Sequence, residues 1–171
     1  MQLRLTAKEN FTHEKKITIA IGGSKSESNR LLILQALFPN ICIKNLSTSD
    51  DTQLLQQALR SQEHIIDIQH AGTAMRFLTA FFAIQEGKET VLTGSKRMLQ
   101  RPIKPLVDTL NNLGANITYA NQEGFPPLKI IGQKLTKNVV AIDANMSSQY
   151  ISALLLIAPK LKNGLTDRKS V

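Results

Sequence analysis

Residues 23–30 read GSKSESNR: three hydroxyls, a lysine and an arginine within eight positions, running into the apolar stretch LLILQALF at 31–38. Hydroxyls and cations gathered where an apolar helix begins suit the holding of an anion. The first turn of a helix leaves backbone N–H groups unpaired and carries a partial positive charge. Ser or Thr there can cap the helix or donate to an anion, and Lys or Arg adds full charge. The same design recurs as GTAMR at 72–76 before FLTAFFAI, and as MSSQ at 146–149 before ISALLLIA at 151–158. Any one such junction alone reads as an ordinary N-cap. Three in one chain, two of them with an adjacent arginine, favour an anion site.

The elements that must position these junctions follow from periodicity. Alternation predicts a strand at 17–21, then a helix over about 27–38 with Leu31, Leu34 and Leu37 on one side. A short strand is expected at 41–44. Ser47 with Asp50 resembles a capping box for a helix carrying Leu54, Leu55, Ala58 and Leu59. A strand at 65–68 leads to a helix over 73–85, stopped by Gly87. A strand at 89–93, a helix at 102–113 stopped by Gly114, and strands at 116–120, 128–131 and 139–143 follow. A helix over 148–158 closes the series. The chain thus reads as α/β, about two and a half copies of a β-α-β-α-β-β unit.

Composition narrows the partner. The 171 residues suit one domain with a real core. With 42% hydrophobic and 20% charged residues the chain is neither disordered nor membrane-spanning, and 1–16 show no secretory apolar run. Twenty-one basic against thirteen acidic residues give +8, which suggests anionic partners. Aromatics are only 5%, Trp is absent, and no RRM, C₂H₂ or KH signature is present, so small phosphorylated ligands fit better than nucleic acid. GGSKSESN lacks Walker spacing because Ser24 separates Lys25 from Gly23, and no G-x-G-x-x-G follows a strand. With His13, His64 and His70 scattered and no CxxC or HExxH, neither a metal nor a cofactor is expected. The single Cys42, in the run ICI, reads as a buried, inert thiol of a reducing cytoplasm.

Four blocks carry a resemblance. GSKSESNR at 23–30, HAGTAMRFL at 70–78, GSKRMLQRPIKPLVDTL at 94–110 and SSQYISALLL at 147–156 are similar, in order and spacing, to the 3-phosphoshikimate 1-carboxyvinyltransferases, the 5-enolpyruvylshikimate-3-phosphate synthases. The resemblance implies the enolpyruvyl transferase fold, two similar domains of three βαβαββ units each, closing over the substrates. It implies transfer of the enolpyruvyl group of phosphoenolpyruvate to the 5-hydroxyl of shikimate 3-phosphate in aromatic amino acid biosynthesis, without a metal, in the cytoplasm.

By the same resemblance Lys25 serves both substrates, with Ser26 and Arg30 on shikimate 3-phosphate. Gly72 lets the backbone approach phosphoenolpyruvate, where a Cβ would obstruct it. Arg97 holds that substrate's anionic groups by paired bonds. Ser147 and Ser148 grip the sugar-like substrate's phosphate, Gln149 touches both ligands, and Thr73 and Arg76 line the same junction. The plain alternative makes Arg97 and Arg101 surface cations and Ser148 an N-cap. His70 stands where Asn is common, which introduces pH, or merely satisfies a local backbone group. Phe77 stands where many members have Pro, which bears on how the following helix is set and on the response to glyphosate.

Members are more than twice this length, so the resemblance divides the chain into three parts. Residues 1–16 belong in the family with the second domain. Residues 17–165 form the N-terminal substrate-binding domain, incomplete in its third unit. Residues 166–171, TDRKSV at 166–171, read as a tail outside the family pattern, left by a truncation or a change of frame. The proton-transfer residue is expected in the second domain, and Asp50 and Asp51 read as helix-start charges. The chain alone is therefore expected to be inactive. Four charge-assisted contacts at about 1.5–3 kcal/mol each, against an association cost of about 4–15 kcal/mol, imply millimolar binding or none. Exposed apolar edges would favour self-association, or pairing with a second domain in trans. Two other readings compete: a relative of the UDP-N-acetylglucosamine enolpyruvyl transferases, whose first loop has Lys-Asn, and a non-catalytic phosphate- or RNA-binding module.

Overall fold

The computed structural model describes residues 21–140 and 147–166. In chain order the elements are α1 (Lys25–Leu37), α2 (Asp50–Arg60), β1 (Ile65–Asp67), α3 (Gly72–Ala83), β2 (Glu89–Thr93), a 3₁₀ turn (Met98–Gln100), α4 (Lys104–Asn112), β3 (Asn116–Tyr119), β4 (Leu128–Ile131), α5 (Ser148–Ile157) and a second 3₁₀ turn (Ala158–Lys160). From β1 to β4 the order is β-α-β-α-β-β, one complete copy of the expected unit.

Its four strands form one sheet in the order β1-β2-β4-β3. β1 and β2 run parallel, joined by the α3 crossover, with Ile66 opposite Leu92. β4 is antiparallel to both β2 and β3, with Ile130 opposite Thr90 on one side and Ile117 on the other. Alternation puts one face inside: Leu92, Ile117, Leu128 and Ile130 are buried, while Glu89, Lys129 and Ile131 point outward.

α3 is the centre. Every residue of GTAMRFLTAFFA except Thr73 is buried, as expected of a helix that is apolar all round. It packs against α1, α2, α4 and α5 and against the sheet. Its end is set from outside: the Gln133 N–H donates to the Ala83 carbonyl at 3.0 Å. Gly132 lies so close to the Gln85 carbonyl that a Cβ would not fit. The helix therefore stops at Ala83, earlier than Gln85, and Gly87 (φ +77°) lies in the turn that follows.

Other expectations shift for local reasons. α1 begins at Lys25, two residues early, because Ser24 caps it by accepting the Glu27 N–H at 3.4 Å. α2 is entered from Ser49, and the Ser47 hydroxyl accepts the Ser49 N–H at 3.2 Å, so Ser47 is not the cap. α4 starts at Lys104 because the Pro102 carbonyl is used elsewhere. Residues 41–44 are not a strand: the Ile41 carbonyl accepts from the Gln35 side chain at 2.7 Å, and Asn45 turns the chain at φ +55°. Cys42 on this segment is exposed, not buried, because it points outward between the half-buried Ile41 and Ile43. Of the strand expected at 17–21 only residue 21 is described, and of that at 139–143 only residues 139 and 140, none of them in a strand; the rest lies outside the described residues. Among the described residues no helix is long and apolar enough to cross a membrane.

Candidate functional site

The three hydroxyl-rich junctions meet at one end of the helical layer. Arg30, in the second turn of α1, places its guanidinium 5.9 Å from the centre of the Phe77 ring, in the second turn of α3. Its Nη2 lies 3.4 Å from Ser152 Oγ, in the second turn of α5. Its Nη1 donates to the Ser26 carbonyl at 2.8 Å. The three helices are thus level one turn in, and their N-termini converge.

α2 joins them. The Thr52 hydroxyl, in its first turn, donates to Asn29 Oδ1 of α1 at 2.8 Å, and the Ser47 N–H donates to Ser28 Oγ at 2.9 Å. Lys25 Nζ stands 3.8 Å from Asp51, and His70 Nε2 stands 3.8 Å from Asp50. The His70–Asp50 pair is solvent-exposed and contributes little to stability, whereas Asp51 is mostly covered beside an exposed Lys25. Both pairs mark where the ends of α1, α2 and α3 face one another.

The four N-termini differ in charge. α2 neutralises its own end with Asp50 and Asp51. Ser24 caps α1, and the Ser147 hydroxyl caps α5, accepting the Gln149 N–H at 3.4 Å. Among the described residues no side chain caps α3, which is preceded by Ala71. Around that uncapped turn stand Arg76 and Arg101. Arg76 is only 5% exposed, yet its partners are neutral: Gly72 O at 3.1 Å, Pro102 O at 3.2 Å and Met98 Sδ at 3.9 Å. Burial lowers its pKa, and the nearby charge of Arg101 lowers it further, while the Tyr150 hydroxyl acts the other way. Among the described residues, none of Arg30, Arg76, Arg97 and Arg101 forms an ion pair with a carboxylate.

Lys25, Ser26, Ser147 and Ser148 are exposed at their helix starts, Arg30, Thr73 and Gln149 are half-buried, and Arg97 is exposed at the entry to the first 3₁₀ turn. Gly72 is buried, and a Cβ on it would strike the Arg101 guanidinium. The space left by its missing side chain is therefore filled by an arginine. Contacts tie the α1, α3 and α5 ends together, and Arg76 ties the segment bearing Arg97 and Arg101 to α3. Three partners went unread in the sequence. Tyr150 donates to the Pro102 carbonyl at 2.9 Å, Ser152 meets Arg30, and Asn29 is fully buried with Nδ2 lacking a partner among the described residues. An arginine next to a proline, and an Asn inside an apolar helical face, are faint signals of this kind.

Comparison with known proteins gives a consistent result. Residues 55–170 match the family described as EPSP synthase (3-phosphoshikimate 1-carboxyvinyltransferase). The 3-phosphoshikimate 1-carboxyvinyltransferase of Bacteroides fragilis (strain YCH46) is 53% identical over 154 residues, covering 90% of this chain and 37% of that protein. The enzyme of the same name from Colwellia psychrerythraea (strain 34H / ATCC BAA-681) is 40% identical over 175 residues, covering 86% of this chain and 41% of that protein. The solved EPSP synthase of Acinetobacter baumannii superposes with a TM-score of 0.69 at 22% identity, over 82% of this chain and 37% of that one. That likeness establishes a shared α/β fold. The chain spans about two-fifths of the length of the curated relatives it matches.

Proposed function

Because the chain belongs to the EPSP synthase family, the 3-phosphoshikimate 1-carboxyvinyltransferases, we propose that its converging helix ends hold shikimate 3-phosphate and phosphoenolpyruvate for enolpyruvyl transfer to the 5-hydroxyl. The observation that carries this reading is the start of α3, where, among the described residues, no side chain caps the helix and no carboxylate pairs with Arg76 or Arg101. A helix N-terminus and two guanidinium groups repel one another until an anion arrives, and an anion there relieves all three. Phosphoenolpyruvate, with phosphate and carboxylate on one small frame, suits that place, with Arg97 on the adjoining segment.

The capped ends suit the second substrate. Ser147 and Ser148 at α5, with Ser26 and Arg30 at α1, offer hydroxyls and one guanidinium to a phosphate on a polyhydroxylated ring. Lys25 at the start of α1 and Gln149 at the start of α5 are assigned to both ligands. The work assigned to these residues is binding and orientation: they bring the 5-hydroxyl to the phosphate-bearing carbon of phosphoenolpyruvate and offset the charge of the phosphate that departs from it.

Calorimetric titration at matched ionic strength tests the reading. Shikimate 3-phosphate is expected to bind the chain with a Kd of about a millimolar, given the few contacts available against the association cost, and at least fivefold more tightly than inorganic phosphate or shikimate alone. Equal responses to all three, falling steeply with salt, would identify a general polyanion surface instead.

A further inference from the structure

The carbonyl of Pro102 is a junction. It accepts the Tyr150 hydroxyl from α5 at 2.9 Å and Arg76 Nη2 from α3 at 3.2 Å. Two donors fill the two lone pairs of a carbonyl oxygen, which explains why α4 begins only at Lys104. Arg76 and Tyr150 are both buried, as are the flanking Met98 and Ile103. The segment so held runs from Ser95, whose N–H donates to the Gln69 carbonyl at 2.9 Å, through the 3₁₀ turn to Pro102. It carries Arg97 and Arg101, both exposed, and Arg101 lies over Gly72.

We infer that Tyr150 is a positioning residue: its hydroxyl, acting through the Pro102 carbonyl, fixes the arginine-bearing segment 95–102 relative to the start of α5. Tyr150 sits in the first turn of α5, three residues after Ser147. One short bond therefore links the place assigned to the shikimate phosphate with the arginines assigned to phosphoenolpyruvate. Arg76 holds the same carbonyl from α3, so three elements are set by one oxygen. The inference rests on the proposed function for its ligands and on the ligand-free chain for its mechanics.

The test is Tyr150→Phe in the 171-residue chain, which keeps the buried ring and removes the hydroxyl that donates to Pro102 and stands beside Arg76. Two readouts are taken by NMR. In the ligand-free protein, exchange of the Leu99, Gln100 and Arg101 amides, bonded to Ser95, Arg97 and Met98 carbonyls, should accelerate by about 2- to 12-fold, the span of one net hydrogen bond. Amides of β2 and β4 should stay within about twofold of the parent. With phosphoenolpyruvate, the Kd read from Arg97 and Arg101 should rise by a similar factor. The Kd of shikimate 3-phosphate read from Ser147 and Ser148 should not change. Unchanged exchange at residues 99–101 would overturn the inference, and so would acceleration spread evenly over the sheet, which signals general destabilisation. Faster local exchange with unaltered phosphoenolpyruvate affinity would overturn the part played in binding. If the parent chain gives no saturable response to phosphoenolpyruvate, the proposed function fails, and the exchange readout still decides the positioning.

Discussion

Replacing Thr52 by Val should loosen the joint between α1 and α2 by a predictable amount. Thr52 is fully buried, its Oγ1 donates to Asn29 Oδ1 at 2.8 Å, and Ser49 Oγ lies 3.0 Å away. Valine keeps the shape and volume but cannot donate. Asn29 is also fully buried and its Nδ2 already lacks a partner among the described residues, so after the change neither end of the amide meets one there. Stranding a buried acceptor costs about 1–3 kcal/mol. An expected loss near the middle, about 2 kcal/mol, corresponds to a Tm lower by about 4–8 °C for a chain of this size. Urea denaturation followed by circular dichroism gives the free energy directly, with the m-value unchanged if the unfolded state is unaffected. Adding Asn29→Leu should recover at least half the loss, because the buried amide is then gone and only the half-buried Ser49 hydroxyl loses a partner. A Thr52→Val variant within about 0.5 kcal/mol of the parent, the range of an ordinary surface change, would refute the reasoning.

Four further outcomes are expected. Gly72→Ala sets a methyl against the Arg101 guanidinium; because that is the free end of a flexible side chain, stability should fall by less than about 1 kcal/mol while the response of Arg101 to phosphoenolpyruvate is lost, both measurable on one sample. Ser147→Ala removes a cap bond already long at 3.4 Å, so it should cost no more than about 1 kcal/mol in thermal unfolding yet weaken shikimate 3-phosphate in calorimetry. Glu89 is held below its ordinary value of 4.5 by its hydrogen bond to Lys129 and that residue's charge, with Nζ and Oε1 2.8 Å apart. A depressed carboxylate stabilises the fold above its unfolded pKa, and that contribution is lost as pH falls through its folded value. Tm measured against pH should therefore show the parent and Lys129→Met converging in acid and separating above that range. Cys42, free and exposed, should react with a thiol reagent in the native protein nearly as fast as in urea.

Legibility in the sequence followed the length over which a pattern repeats. β2 and β4 were readable as short runs rich in β-branched and apolar residues, ETVLT and LKII, whose alternation between a buried and an outward face is seen only in the structure. α3 was readable from an apolar run bounded by a glycine. The boundaries that moved did so through distant partners: the Gln133 N–H ended α3, and Tyr150 with Arg76 delayed α4. No local window contains those contacts. ICI looked like a strand with a buried thiol because its hydrophobicity is that of a strand; whether its backbone finds a ladder depends on Gln35 and Asn45 outside it. At the site, the chemistry of Ser, Lys and Arg at helix starts was visible as type and spacing. That three such starts lie level, with Arg30 spanning them, is a fact of packing. The burial of Arg76 among neutral acceptors was not legible either, since arginine is almost never buried without an acidic partner.

The most direct test of the central claim maps chemical-shift changes along the chain during titration with shikimate 3-phosphate, then with phosphoenolpyruvate added, at constant ionic strength. Saturable shifts confined to Lys25–Arg30, Gly72–Arg76, Arg97–Arg101 and Ser147–Ser152, rising together with one Kd for each ligand, are the expected result. Shifts scattered over exposed lysines such as Lys134, Lys137 and Lys162, matched by inorganic phosphate, would contradict the account.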